Sequence, residues 1–389
     1  MTDAEWMQDT LLELLAIPSP SGFTDEVIRY IGARLEAMDV AYDITRRGTV
    51  RARLPGGGDN EGEPARAVVN HVDNIGAMVR GFKPDGRLLV APIGFWSSRF
   101  AEGTRVTLFA EEAVYRGTLL PSVHWGVSRD AGVADTPVDW DHIELRLDEA
   151  VLDEAGVRAL GIDVGDFIAC DSRPEVLDSG FIVGRNIDNK AGVAAVLTAI
   201  RRVAQHKLPL PNDTYFLFTV TETVGSGAGS AILPEVSELV TVDFASIPAS
   251  EALSFETVTI ASGDAAGPYD WHLTNHLQKI AEDSRVPYQR RVLPASHNDA
   301  AAALAAGHDV RTAVIAYAGD ATHSVERAHF RSLENMVELL VAYVCSAPTF
   351  SHDTSTTTVS KFPHQIDTDV LPATTRETPD PGELIRRNR

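Results

Sequence analysis

Residues 186–221 read NIDNKAGVAAVLTAIRRVAQHKLPLPNDTYFLFTVT, and this stretch decides the fold class. Apolar side chains recur at helical spacing over residues 190–204, which predicts an amphipathic helix. Aromatic and β-branched side chains then fill residues 214–221, which predicts a strand. The alternation continues toward the C-terminus, with strands expected at 239–242 and 312–317 and helices at 226–233, 271–283, 298–306 and 333–344. Helices alternating with strands predict an α/β domain with a largely parallel sheet.

The region from residue 76 to residue 172 has a different sequence pattern. Short β-like runs alternate there with Gly, Pro and Asp, and helical periodicity is nearly absent. We therefore predict a β-barrel or sandwich inserted into the α/β domain, with residues 1–72 and 174–346 in the α/β domain and 73–173 in the insert. Residues 347–389 are polar, proline-bearing and poor in core side chains, so a disordered tail is predicted there.

The composition excludes several classes of partner. The 389 residues carry a net charge of −21 without a cluster of basic side chains, so we expect no nucleic acid and no membrane as partner. Cys170 and Cys345 lack CxxC neighbours and are expected to be reduced thiols. Acidic residues near the N-terminus argue against a signal peptide. Together these features predict a cytoplasmic protein.

Side chains that bind metals follow several of the predicted strands. They are His71 with Asp73, Asp188, Glu222, Asp243 and His323. Each one alone is more simply a cap or a surface residue. The ends of strands are, however, where an open α/β sheet builds its sites, so their joint occurrence predicts one functional centre. Imidazole and carboxylate ligands suit Zn, Mn or Co.

Individual roles follow from elementary chemistry. His71 and Asp73 lie two residues apart on an extended chain and share a face, so the Asp73 carboxylate can accept the second ring N–H of His71. Asp188 can bridge two ions, as a carboxylate does in two-metal hydrolases. Glu222 follows a strand and is a candidate general base for a water activated by the metal.

The order of these motifs resembles the co-catalytic metallo-aminopeptidases, the family of glutamyl aminopeptidases and tetrahedral aminopeptidases. The sequences GFWSSRFAEG at 94–103 and THSVERAH at 322–329 are most similar to the branch of this family associated with the osmoprotectant N-acetylglutaminylglutamine amide. The matching pieces are LLAIPSPSG near the start, NHVDNIGAM at 70–78, NIDNKAGVAAVL at 186–197, TETVGSG at 221–227, VTVD at 240–243, NDAAAALAAG at 298–307 and THSVE at 322–326.

The resemblance implies a role for each matching residue. His71 and Asp243 match ligands of the first metal, Asp188 the bridging aspartate and His323 the histidine on the second metal. Glu222 matches the general base, and Asp73 matches the residue that orients the metal histidine.

The resemblance also implies an architecture and an assembly. It implies a three-layer α/β/α metallopeptidase-like domain whose inserted β-barrel helps to build the oligomer and shape the substrate entrance. His124, in that insert, matches a loop that reaches the active site. The implied cofactor is a divalent metal, zinc or else cobalt or manganese, at one or two ions per chain. The implied partners are a peptide or small peptide-like substrate and further copies of the chain, up to a dodecamer.

Three positions depart from the family pattern. The family has a Glu-Glu pair where this chain has Glu222-Thr223, so the second glutamate, a ligand of the second metal, is replaced by a neutral hydroxyl. Asn189 and Asn74 also stand where the family usually or often has acids. Asp299 or Glu326 is a candidate replacement ligand.

Three functions therefore compete. The leading hypothesis is a metal-dependent aminopeptidase-like hydrolase that cleaves an N-terminal residue or an amide bond of a small peptide or peptide-like osmolyte. The second is a catalytically weakened relative, because of Thr223, that binds peptides or serves as an assembly subunit. The third is a single-metal deacylase that acts on N-acylated substrates.

Overall fold

The computed structural model describes residues 1–57, 64–123, 136–247, 253–350, 353, 357–358 and 361–365. Met1–Asp353 form one compact unit and Thr354–Arg389 a second. Thr349, near the start of the predicted tail, donates its main-chain N–H to Glu238. Most of the predicted tail, 347–389, lies outside the described residues, so its disorder stays a prediction.

Along the described chain, two helices precede the first strands, and helices and strands alternate in the last third. Among these residues, no helix is both long enough and apolar enough to cross a bilayer. The helices are α1 (Asp3–Ala16), α2 (Asp25–Ala37), α3 (Ser98–Ala101), α4 (Glu154–Ala159), α5 (Ile187–His206), α6 (Trp271–Asp283), α7 (Asp299–Ala305) and α8 (Phe330–Cys345). The strands are β1 (Ala41–Ile44), β2 (Val50–Leu54), β3 (Ala65–His71), β4 (Gly76–Phe82), β5 (Leu88–Ile93), β6 (Arg105–Phe109), β7 (Val114–Pro121), β8 (Ile143–Leu147), β9 (Phe167–Cys170), β10 (Glu175–Val176), β11 (Phe181–Gly184), β12 (Thr214–Thr219), β13 (Val236–Ser246), β14 (Val258–Asp264), β15 (Gly267–Pro268), β16 (Tyr288–Leu293), β17 (Arg311–Asp320) and β18 (Glu326–His329).

One large mixed sheet runs through the α/β part in the order β1-β2-β12-β3-β13-β17-β18-β11-β10, and β14 joins it at β17. Its centre, from β12 to β17, is parallel. The pairs at both ends of this order are antiparallel, as is β14 with β17, whereas β14 and β16 run parallel; the expectation of a largely parallel sheet therefore holds for the centre and this one outer pair. Short connections such as the one between β1 and β2 permit only antiparallel pairing.

Helices cover both faces of this sheet, which confirms the three-layer α/β/α arrangement. Every residue of β3 is buried, as expected for a central strand covered on both sides. One core joins the sheet to α1, α2, α5, α6 and α8. A smaller core on the other side includes Ala303 of α7 and Ala228. The helix expected at 226–233 is wrong: only a 3-10 turn, Gly227–Ser230, forms in this glycine-rich stretch, because glycine disfavours helix.

A closed barrel interrupts the α/β part, which decides between barrel and sandwich. Its strands follow one another in the order β4-β5-β8-β7-β6-β9. Apolar side chains such as Val90, Leu108 and Leu145 are fully buried in its own core. The barrel begins five residues after His71, at Gly76, and ends at Cys170, before Asp188. The two ends of the insert therefore flank the predicted site.

Candidate metal centre

His71 is the last residue of β3 and lies at the point where the predicted site residues meet. Its ring is buried, and its Nε2 atom lies 3.4 Å from Asp188 Oδ1, 3.5 Å from Glu222 Oε2 and 3.8 Å from Asp243 Oδ1. Glu222 follows β12, and Asp243 lies on β13. Because β12, β3 and β13 run parallel, their carboxyl ends meet at one edge of the sheet.

The atoms at this edge form a donor set that suits a divalent ion. One ligand atom each from His71, Asp188 and Asp243 lies within 4.8 Å of the others. Asp188 Oδ1 is buried without a hydrogen-bond partner among the described residues. An unpartnered carboxylate oxygen that faces an imidazole nitrogen and further carboxylates is a favourable position for a cation, and this donor set fits Zn, Mn or Co.

The raised pKa values of the buried acids near this edge also favour a bound cation. Burial, followed by the charge of Asp188, raises the pKa of Asp243 to about 8. Burial raises the pKa of Glu222 well above its ordinary value; His71 opposes this rise and Asp243 adds to it. Burial and the charge of Asp188 likewise raise the pKa of Glu326 to about 8. These groups resist ionisation in one another's presence, and a bound cation would relieve that repulsion.

The ring of His71 is oriented by Asp73, although not by the atom that the sequence predicts. His71 Nδ1 donates to the main-chain carbonyl of Asp73 at 2.9 Å, whereas the nearest carboxylate oxygen is 3.7 Å away. A carbonyl only accepts, so Nδ1 carries a proton, and Nε2 is the ring atom that could bind an ion. The predicted role of the Asp73 carboxylate is therefore corrected to a role of its carbonyl.

The Asp73 carboxylate instead fixes the loop that carries Glu222. It accepts the main-chain N–H groups of Glu222 and Thr223, each at 3.2 Å, and the hydroxyl of Ser21. Ser21 has no metal-ligand chemistry of its own, and no signal in the sequence singles it out. Asp73 thus ties β3, the N-terminal segment and the Glu222 loop together.

His323 lies on the opposite side of Asp188. Its Nε2 atom is 3.8 Å from Asp188 Oδ2, and its Nδ1 donates to the carbonyl of Phe95 at 2.8 Å. The same Asp188 Oδ2 accepts the hydroxyl of Thr322 at 2.7 Å. We call Oδ1 with His71 and Asp243 the His71 side, and Oδ2 with His323 and Thr322 the His323 side. His124, expected to reach the site, lies outside the described residues.

Comparison with known proteins assigns this arrangement to a family. The family model described as M42 glutamyl aminopeptidase matches residues 48–339. The chain is 38% identical over 350 residues to the Bacillus subtilis protein named "Putative aminopeptidase YhfE", covering 89% of this chain and 99% of that one.

The chain belongs to the M42 glutamyl aminopeptidase family. This M42 protein is therefore a hydrolase of the metallo-aminopeptidase type, and the family implies a divalent metal, as the sequence predicts. The predicted osmoprotectant branch stays a prediction.

Solved structures show the same fold as this M42 protein. A TET aminopeptidase from a marine sediment archaeon of the Thaumarchaeota superposes with a TM-score of 0.79 at 18% identity, over 87% of this chain and 96% of that one. A Pyrococcus horikoshii TET1 peptidase, whose structure is described as assembling into a tetrahedron or a large octahedral shell, gives 0.75 at 21% identity over 87% and 99%. These similarities support the predicted α/β/α fold with its inserted barrel.

Thr223, which the sequence analysis expects to depart from the family pattern, is turned into the protein. It is buried, and its hydroxyl donates to the carbonyl of Asp73 at 3.3 Å. Its methyl group faces Gly94, where an added Cβ would lie only 2.5 Å from Thr223 Cγ2. Gly94 also has φ +85°, so the close approach and the backbone both require glycine.

The other expected departures and the suggested replacement ligands form hydrogen bonds elsewhere. Asn189 donates to the carbonyl of Val242, and Asn74 donates to that of Asp188, each at 2.8 Å. Asp299 accepts the hydroxyl of Thr219. Glu326, discussed below, accepts main-chain N–H groups. None of them belongs to the group of His71, Asp188 and Asp243 that could hold an ion.

Proposed function

We propose that this M42 protein is an aminopeptidase-like hydrolase that works with one divalent ion, held by His71, Asp188 and Asp243, with Glu222 as general base. The observation that carries the proposal is the convergence of these side chains around the unpartnered Asp188 Oδ1. When bound there, the ion would polarise the scissile carbonyl and acidify a water.

The protein's own groups supply orientation and proton transfer. The carbonyl of Asp73 fixes the tautomer of His71, so that Nε2 faces the centre. Glu222 lies in the loop that the Asp73 carboxylate holds, and its carboxylate oxygen lies 3.5 Å from His71 Nε2. A largely buried carboxylate with a raised pKa can take a proton from water and pass it to the leaving amine.

We propose one ion rather than two because the His323 side offers few ligands. Thr223 directs its hydroxyl at the Asp73 carbonyl, and Thr322 donates to the oxygen of Asp188 that a second ion would need. Within the described part of the chain, His323 Nε2, 3.8 Å away, is the remaining ligand atom near that oxygen. Imidazole with two carboxylates favours zinc, with cobalt or manganese as alternatives.

Substrate and assembly are the finer parts of the proposal. The substrate is a short peptide with a free amino group or a peptide-like amide, and the osmoprotectant branch makes a glutamine dipeptide derivative the first compound to assay. The chain acts in the cytoplasm as a closed homo-oligomer. The tetrahedral assembly described for the TET1 peptidase, which shares the fold, supports the oligomer, and the dodecamer described for PhTET1-12s makes twelve subunits the first size to look for.

Metal stoichiometry tests the number of ions. The parent protein is loaded with Zn, Co or Mn, desalted and measured for metal per chain, beside Thr223→Glu and the matched control Thr223→Gln. We expect one ion in the parent and in Thr223→Gln, and two in Thr223→Glu, since only glutamate adds a charged ligand. Two tightly held ions in the parent would contradict the single-ion centre.

Hydrolysis of peptides with free and with acetylated N-termini tests the reaction. We expect cleavage of the free-amine peptides. Cleavage of the acetylated peptides alone would favour the single-metal deacylase.

A second candidate function is peptide binding by a weakened enzyme, and the inward-facing hydroxyl of Thr223 favours it. It predicts background activity in the parent and a large gain in Thr223→Glu. High activity in the parent that Thr223→Glu leaves unchanged would exclude it.

A further inference from the structure

Glu326, the first residue of β18, has a buried carboxylate that connects the two chain segments meeting at the His323 side. One oxygen accepts the main-chain N–H of Asp188 at 3.0 Å, and the other accepts that of His323 at 2.9 Å. The N–H of Ile187 is a further donor to this carboxylate. Glu326 is only 2% exposed, so these bonds are shielded from water.

The first of these segments needs an external partner at its start. Asp188 (φ −77°, ψ 107°) and Asn189 (φ −118°, ψ 27°) interrupt the helical geometry at the start of α5, so the N–H groups of Ile187 and Asp188 precede its first regular turn, and Asn186 makes no side-chain capping bond. The first N–H groups of a helix have no partner within the helix and attract negative charge. Glu326, 138 residues away in sequence from Asp188, supplies that charge and thereby fixes the main chain of the residue whose carboxylate faces the centre.

The second segment is held in an unusual backbone conformation. His323 has φ +63°, in the left-handed region that side chains with a Cβ disfavour. The bond from its N–H to Glu326 and the bond from its ring to Phe95 secure that conformation. Thr322, the neighbouring residue, adds its hydroxyl bond to Asp188 Oδ2.

We propose that Glu326 is a positioning residue that sets the distance between Asp188 and His323 by accepting a main-chain N–H from each, and that it is not itself a metal ligand. The inference rests on the proposed ion site at Asp188. Each carboxylate oxygen already has a main-chain donor, whereas a ligand would turn an oxygen toward the side chains of the centre. Because Asp188 also serves the His71 side, a displaced helix start would weaken binding of the first ion.

The substitution Glu326→Gln tests the need for two accepting oxygens. Glutamine has nearly the same size but replaces one acceptor with an NH₂ group, which opposes a main-chain N–H. We expect binding of Co²⁺ or Zn²⁺ to weaken about 10- to 100-fold, the usual effect of removing a partner that orients a ligand, with the stoichiometry at saturation unchanged. The visible absorption spectrum of the Co²⁺ protein should also change, because Asp188 is displaced.

The matched control is Glu238→Gln. Glu238 is equally buried but binds Arg66, Tyr343 and Thr349, away from the centre. This control should lower stability while leaving Co²⁺ affinity and spectrum as in the parent. If Glu326→Gln does not fold, Glu326→Asp keeps the charge but shortens its reach, and the same loss of affinity is expected.

The outcomes separate this inference from the proposed function. A parent protein that binds no ion would overturn the proposed function and the inference with it. A parent that binds an ion with the same affinity and spectrum as Glu326→Gln, or as Glu326→Asp if only that variant folds, would overturn the inference alone. A loss of one ion per chain at saturation would identify Glu326 as a ligand, and would also overturn it.

Discussion

The two sides of the Asp188 carboxylate differ in how the chain builds them. On the His71 side, Oδ1 has no hydrogen-bond donor among the residues that the structure describes, and it faces an imidazole and the carboxylate of Asp243. On the His323 side, Oδ2 accepts the hydroxyl of Thr322 and shares its surroundings with a partly exposed histidine. The Asp188 carboxylate therefore has one oxygen, Oδ1, open to a cation and one oxygen, Oδ2, that already accepts a hydrogen bond.

This difference follows from the elements that carry the residues. The His71 side is built on β3, β13 and the start of α5, which are fixed by sheet pairing and by a dense core. The His323 side is built on the loop between β17 and β18, which depends on individual hydrogen bonds to Phe95 and Glu326. A metal ligand on a loop is easier to replace than one on a central strand, because fewer packed side chains have to change with it.

The largest expected effect comes from removing the charge that both sides share. Asp188→Asn should leave no ion after desalting and lower kcat/KM by on the order of a thousandfold or more, since several kcal/mol of charge stabilisation are lost. Metal analysis and peptide hydrolysis measure both effects. Asp43→Asn, which removes an exposed aspartate paired with Arg51, is the control and should change neither. An ion retained by Asp188→Asn would show that Asp188 is not central to the site.

A smaller effect is expected from changing the His71 side without removing a ligand. Glu222→Gln should retain the ion but lower kcat about 100- to 10,000-fold with little change in KM, as expected for loss of a general base. Glu235→Gln, at an exposed residue bonded to Tyr215, serves as the control. If Glu222→Gln also loses the ion, Glu222 is a ligand, and the His71 side has four protein groups instead of three.

The sequence predicts the His71 side better than the His323 side for a physical reason. His71, Glu222 and Asp243 follow or occupy parallel strands, and strand ends meet at one edge whatever the loops do. Asp188 lies at the start of a helix that connects two strands, so the same argument places it at this edge of the sheet. The structure brings these four side chains together around His71 Nε2.

The hydrogen bonds around the ligands could not be predicted in the same way. Glu326 is expected only as a replacement ligand, because spacing does not reveal that its oxygens face main-chain N–H groups. The carbonyls of Asp73 and Phe95 belong to the main chain, which every residue type has, so no sequence pattern marks them. The mixed flanks of the sheet were missed because β14, β16 and β18 have little apolar periodicity.

The smallest expected effect tests whether Thr223 is a structural residue and not a metal ligand. Thr223→Val keeps the methyl group that faces Gly94 but removes the hydroxyl bond to the Asp73 carbonyl. The free energy of unfolding should fall by about 0.5–1.5 kcal/mol, measured from urea unfolding, because that carbonyl still accepts His71 Nδ1. Thr223→Ser, the matched variant, keeps the hydroxyl and loses a methyl group worth about 0.8 kcal/mol. Both variants should hold as many ions as the parent, because the hydroxyl orients the Asp73 carbonyl rather than an ion. A lost ion in Thr223→Val but not in Thr223→Ser would make the hydroxyl a ligand and remove the difference between the two sides of Asp188.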